Sequence, residues 1–239
     1  MPVDYDAMSS AYASGRSANS GVVDKLTAHV TLDVESKVLE VGCGTADHIA
    51  ALLDASGCHG WGVEPSAGMR RHAPMMDGLQ LVAGTAEAIP LADEFFDFVF
   101  TVNVVHHMTD VAAYFREAKR VLKAGGTLCT VTESTEMIRN RKPLSHYWPA
   151  TIEPELGRYQ TVETLLDAMK QAGFTNTETH NISTPIAFTD AIAYRQKAYS
   201  SLLLISDVEF GEGLQRLEAD LQDGPIKGNS EYVCIWGRT

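Results

Sequence analysis

Residues 38–45 read Val38-Leu39-Glu40-Val41-Gly42-Cys43-Gly44-Thr45. A short apolar run stops at two glycines, and a helix-like stretch from Thr45 to Ser56 follows, closed by Gly57. That is a buried strand turning into a helix. Glycine lets a backbone approach a ligand closely, and a helix N-terminus offers free N–H groups and positive potential. In open α/β sheets, ligands sit at the carboxyl ends of strands, where strand order reverses. A Gly-x-Gly alone is a common turn. Three neighbours narrow it. Asp47 stands where a dinucleotide fingerprint has its third glycine. Glu40 is an acid inside an apolar strand, suited to an ammonium or its bound water. Glu64 follows Gly44 by 20 residues and ends the next strand, where a carboxylate can accept from both hydroxyls of a ribose.

Outward from this turn, strands and helices alternate. His59–Glu64, Gly78–Gly84, Phe95–Val105 and Gly126–Glu133 read as further strands. Ser66–His72 is a short helical segment. Asp110 caps a helix whose apolar residues Val111, Tyr114, Phe115, Ala118, Val121 and Leu122 share one face. Thr161 caps another, closed by Gly173. Weaker strands are expected at Thr177–Ile182 and Glu231–Gly237. Such βα alternation predicts an α/β fold with a doubly wound, seven-stranded, mostly parallel sheet and helices on both faces. Residues 1–239 are expected to form one domain, with residues 1–30 as an N-terminal lid. Segment 137–159 reads as a loop with three prolines, and 189–221 as an amphipathic helical cap; both break the alternation.

The chain has 239 residues, with 19 Lys plus Arg against 31 Asp plus Glu, for a formal charge of -12. A negative field of that size repels phosphate backbones and anionic lipid. Nucleic-acid and membrane partners are therefore not expected. Cys43, Cys58, Cys129 and Cys234 form no CxxC pair, so neither a zinc site nor a disulfide framework is read from them; no metal is expected. Residues 1–16 lack the basic and apolar regions of a signal peptide. A cytoplasmic protein, monomeric or homodimeric, is expected.

Four segments carry a family resemblance. VLEVGCGTA from Val38, VEPSAGM at Val63–Met69, GTAEAIPLADEFFDFVF at Gly84–Phe100 and LKAGGTL at Leu122–Leu128 occur in the order and spacing of class I S-adenosylmethionine-dependent methyltransferases. The resemblance covers about residues 3–135 and implies a Rossmann-like fold and S-adenosylmethionine as cofactor, released as S-adenosylhomocysteine. It implies that Glu40 and Gly42, Cys43, Gly44 and Thr45 hold the methionine part. Glu64 would bind the ribose, Pro65 and Met69 the adenine face, and Thr85, Ala86 and Glu87 the adenine edge. Asn103 would line the methionine end. Many relatives carry Asp where this chain has Thr85, so Glu87 is an alternative acceptor for the adenine amino group.

His106 and His107 follow the fourth strand at the mouth of the site, where a general base or substrate contact would sit. Tyr5 and Tyr12, at the ends of a segment reading YDAMSSAY, together with Arg16 resemble the family's lid. Arg139, Arg141, Tyr147 and Trp148, in the insertion after the fifth strand, are placed to shape an acceptor pocket. No G-x-S-x-G elbow or Walker A lysine occurs, so hydrolase and P-loop readings lack their motifs. The leading expectation is in-line methyl transfer to a small molecule. The alternatives are an NAD(P)-dependent oxidoreductase, which lacks here the third glycine and a Tyr-x-x-x-Lys pair, and a non-catalytic cofactor-binding protein of the same fold.

Overall fold

The computed structural model describes residues 4–15 and 17–239. The strands are β1 Lys37–Val41, β2 His59–Val63, β3 Leu79–Val82, β4 Phe96–Val102, β5 Leu122–Thr132, β6 Thr175–Phe188 and β7 Ile226–Arg238. The helices are α1 Tyr5–Gly15, α2 Ser20–His29, α3 Asp47–Ser56, α4 Ala67–Arg71, α5 Val111–Val121, α6 Thr135–Asn140, α7 Leu144–Tyr147, α8 Ile152–Leu156, α9 Val162–Gln171, α10 Ile192–Arg195 and α11 Asp207–Gln222. Strand order is β3-β2-β1-β4-β5-β7-β6. The first five strands pair in parallel, and β7 runs antiparallel between β5 and β6. Order reverses beside β1, whose neighbours are β2 and β4. The glycine loop therefore leaves the sheet at the switch point, where a crevice opens between the outgoing chains.

Period-two alternation sorts the strand residues onto two faces. Leu39, Val41, Val63 and Val99 pack against Tyr114, Phe115 and Ala118 of α5 and Leu165 and Met169 of α9. Val38, Phe98 and Phe100 pack against Val22 and Leu26 of α2 and Ile49 and Leu52 of α3. Glu40 shares this second parity. Its carboxylate therefore faces the first turn of α3 rather than the α5 side.

Sequence boundaries move where local chemistry is unusual. The α3 helix begins at Asp47, not Thr45, because Ala46 adopts a left-handed φ of 62°. Segment 137–159 is not a loop. It holds most of α6, all of α7 and α8, and a 3-10 turn at Pro149–Thr151. Its prolines do not exclude helix because Pro143 and Pro149 sit at N-terminal positions, where no amide donor is required. The last two strands outrun the expected Thr177–Ile182 and Glu231–Gly237. Their outer ends, 184–188 and 226–230, pair beyond the sheet core and reach the cap. There Phe188 and Ile226 join a third apolar cluster with Leu144, Tyr147, Trp148, Tyr194, Leu202 and Leu217.

Gly213 of α11 lies against the Trp148 indole so closely that a Cβ would overlap the ring. Gly213→Ala is expected to cost about 1–3 kcal/mol by overpacking. A urea midpoint equal to wild type would contradict this packing.

Candidate active site

At the end of β1 the chain turns through Gly42 and Gly44, both at positive φ (69° and 56°). A Cβ on Gly42 would fall 2.5 Å from Val104 Cγ1. A Cβ on Gly44 would meet, among the described residues, only the Tyr12 ring, at 3.9 Å. The first glycine is thus required by packing, and the second leaves backbone open toward α1.

Glu64, 7% exposed, ties this loop to the next one. Its Oε2 accepts from Gly44 N at 3.0 Å, and its Oε1 accepts from Ser66 N at 2.9 Å. Burial raises its pKa against the pull of those two amides. Glu40, 2% exposed, accepts from Ile49 N at 3.1 Å and lies 3.8 Å from His48 Nδ1. Burial holds its pKa well above the usual carboxylate range; the Ile49 amide opposes this, while Asp47 and Glu64 add to it. A buried acid in that state gains most from an incoming cation.

A cavity of about 480 Å³ opens beside these groups. Glu40, Gly42, Cys43, Thr45, Asn103, His106 and His107 line it, as do Tyr5 and Tyr12 of α1. Asn103 has a left-handed φ of 54°, and its buried Oδ1 has no hydrogen-bond partner among the described residues. A glycine cradle beside an orphaned acceptor and a buried acid suits the ammonium end of S-adenosylmethionine.

The adenosine end is arranged differently. Pro65 and Thr85 are exposed, Met69 is 1% exposed, and none of Glu64, Pro65, Met69, Thr85, Ala86 or Glu87 lines the cavity. Asp6 of α1 accepts from Ser66 Oγ and Gly68 N, each at 2.6 Å, so α1 lies across α4. Glu87 Oε1 accepts from Thr109 N at 2.9 Å, which braces the loop after the histidines.

His107 Nε2 is 2.7 Å from the Tyr5 hydroxyl. His106 stacks on Tyr159, with ring centroids 4.0 Å apart and planes 11° from parallel. Burial, with Arg158 adding, pushes the His107 pKa down to about 4 from 6.5, so its imidazole is neutral near pH 7. A depressed histidine adds no pH dependence above its unfolded pKa. Between about 6.5 and 4 the unfolded chain takes up a proton that the native one refuses, so stability falls with pH across that window. The drop in urea midpoint from pH 7 to pH 5 is expected to be smaller in His107→Gln than in wild type; equal drops would contradict the burial of His107.

The far wall carries a charged cluster. Arg141 donates to Glu133 at 3.0 Å and to Glu155 at 2.7 Å. Arg158 donates through Nε to Glu155 at 2.8 Å and through Nη2 to Ser200 Oγ at 2.8 Å. Tyr159 donates to Glu133 at 3.2 Å. Burial works against the Arg141 charge, but Glu133 and Glu155 outweigh it and hold the guanidinium protonated. The buried Arg141 Nε has no acceptor among the described residues.

Three expected pocket residues lie elsewhere. Trp148, 1% exposed, stacks on Tyr194 and donates to Phe210 O at 2.9 Å, as core of the cap. Tyr147 donates to Asp220 at 2.7 Å. Arg139 pairs with Glu153 at 3.1 Å on the surface. Arg16 lies outside the described residues. Conversely, His48, Glu155 and Tyr159 line the cavity without having been singled out. Only the fold brings them there; a first-turn histidine and a helical Glu155 carry no spacing signal.

The family model described as "Methyltransferase domain" matches residues 39–130. A demethylmenaquinone methyltransferase of Bacillus velezensis is 28% identical over 193 residues, 70% of this chain and 82% of that protein. The chain spans only about half the length of further curated relatives of the same name. A putative methyltransferase from an antibiotic biosynthesis pathway of Anabaena variabilis superposes with TM-score 0.73 at 22% identity, covering 93% and 98% of the two chains. A Haemonchus contortus phosphoethanolamine N-methyltransferase, solved with S-adenosylhomocysteine, gives 0.62 at 17% identity, covering 92% and 52%. The two structural likenesses speak for the fold, and the family-model match at residues 39–130 takes in the glycine loop and Glu64. Residues 39–130 thus match a methyltransferase domain, and the chain as a whole shares the fold of solved methyltransferases.

Proposed function

We propose that this enzyme methylates a small molecule held between the glycine loop and the cap segments 137–159 and 189–221. The observation that carries the proposal is the cavity itself, which joins the orphaned Asn103 Oδ1 and Glu40 on one side to Arg141 on the other. When bound, S-adenosylmethionine supplies an electrophilic methyl on sulfur. Glu40 and Asn103 would accept from its ammonium, with Gly42, Cys43, Gly44 and Thr45 along the methionine chain. Glu64 would accept from the ribose, Pro65 and Met69 would pack on the adenine, and Thr85 and Ala86 would meet its edge. Since Asp6 holds α1 across α4, that helix would have to shift to admit the adenosine.

Catalysis then rests mainly on positioning. Holding an acceptor in line with the methyl while excluding water is worth up to about 7–11 kcal/mol. Tyr5, Tyr12 and the ring pair His106–Tyr159 confine the acceptor. Arg141 Nε donates to an oxygen on it, and neutral His107 receives a proton through Tyr5 when the acceptor carries one. A donor opposite aromatic side chains favours an oxygen-bearing ring or unsaturated chain, in keeping with the relatives' name, demethylmenaquinone methyltransferase.

The charge of -12 speaks against nucleic-acid acceptors. Four free, buried cysteines suit a reducing compartment, and we place the protein in the cytoplasm. No helix of the described residues is long and apolar enough to cross a membrane.

Turnover of labelled S-adenosylmethionine tests the reading. Hydroxylated rings and quinols are expected to be methylated, with simple amines and transfer RNA left unlabelled. Binding of S-adenosylhomocysteine without turnover on any small molecule would instead indicate a silent binder.

A further inference from the structure

A second constellation lies at the opposite end of the sheet. His29 closes α2. Glu178 and His180 stand two apart on β6, so their side chains leave the same face. His29 Nε2 is 3.3 Å from Glu178 Oε1, and His180 Nε2 is 3.2 Å from Glu178 Oε2. One ligand atom from each of the three residues fits within a 4.8 Å spread. The His29 ring stacks on Trp236, with centroids 3.8 Å apart and planes 23° from parallel, which fixes its orientation.

Beside the cluster is a cavity of about 310 Å³, lined by His29, Glu178, Trp236, Thr127, Asn176 and Arg238. Trp236 is 1% exposed, and its buried Nε1 has no acceptor among the described residues. An indole N–H left without a partner in a cavity calls for an oxygen there. Tetrahedral coordination with bonds of about 2.0–2.2 Å places ligand atoms roughly 3.3–3.5 Å apart. The two nitrogen–carboxylate distances already lie at the edge of that range.

We propose that His29, Glu178 and His180 bind a divalent transition-metal ion of the zinc class, with a fourth-position water accepting from Trp236 Nε1. Two imidazoles select against magnesium and calcium, which prefer all-oxygen shells. Lys25 and Arg238 also face His29 and oppose the cation; the Glu178 carboxylate offsets them. The ion joins the C-terminus of α2 to β6, an edge strand with one neighbour. It is separate from the cofactor cavity and stabilises without taking part in transfer.

Calorimetry of zinc chloride into the metal-stripped chain tests this. One ion per chain is expected, with affinity falling at least tenfold in Glu178→Gln and in His180→Gln. S-adenosylhomocysteine affinity should be the same in both variants as in wild type. Because His29 packs on Trp236, copper(II) provides a second readout. It should quench tryptophan fluorescence stoichiometrically in wild type, and this quench should be lost in His180→Gln of unchanged circular dichroism. Absence of stoichiometric zinc, or equal affinity in wild type and both variants, would overturn the assignment.

Discussion

Replacing Arg141 by leucine is expected to lower stability by about 3–5 kcal/mol, the usual consequence of removing one partner from a buried ion pair. Arg141 is 11% exposed in its side chain and bridges Glu133, at 11%, to Glu155, at 2%. Without it, two buried carboxylates face each other across the cavity wall, and among the described residues only Arg158 remains on Glu155. The cost comes less from the lost bonds than from the charge left behind. Arg141→Lys keeps the charge but cannot span both acids in one plane, so an intermediate loss is expected. Urea unfolding at pH 7 measures both variants. A loss below about 1 kcal/mol for Arg141→Leu would mean that the cluster is solvated rather than buried.

Glu64→Ala is expected to weaken cofactor affinity by ten- to a hundredfold. The carboxylate is acceptor to Gly44 N and Ser66 N at once, so it fixes the glycine loop against the turn that starts α4. Hydrogen bonds to a charged group contribute about 1.5–3 kcal/mol each, and 1.4 kcal/mol is a factor of ten in affinity. Losing the proposed ribose contact, with a looser loop, lies within that range. Glu64→Gln retains one acceptor oxygen and should fall between alanine and wild type. An unchanged Kd for Glu64→Ala with native circular dichroism would remove Glu64 from the ribose site.

The half of the fold built from βα units was legible because it repeats two short signals: β-branched runs ended by glycine, and capped amphipathic helices. The glycine turn, with Glu40 and Glu64 buried beside it, is legible for the same reason, being local to one turn and the strand after it. Segment 137–159 was not. Its helices are four to six residues long around Pro143 and Pro149, too short for a helical period. Trp148 looked like a pocket residue because it stands in an irregular, aromatic-rich stretch, yet apolar area on that scale is buried first. Tyr159 and Glu155 became cavity residues only through side-chain bonds to Glu133 and Arg141, partners no spacing rule connects. The cluster of His29, Glu178 and His180 makes the same point across 149 residues of sequence, the 178 − 29 separation of its first two members.

Calorimetric titration of the full chain with S-adenosylhomocysteine and, separately, with NADH tests the cofactor assignment most directly. One equivalent of S-adenosylhomocysteine should bind, more weakly in Glu64→Ala, and NADH should give no heat. Binding of NADH alone would contradict the account.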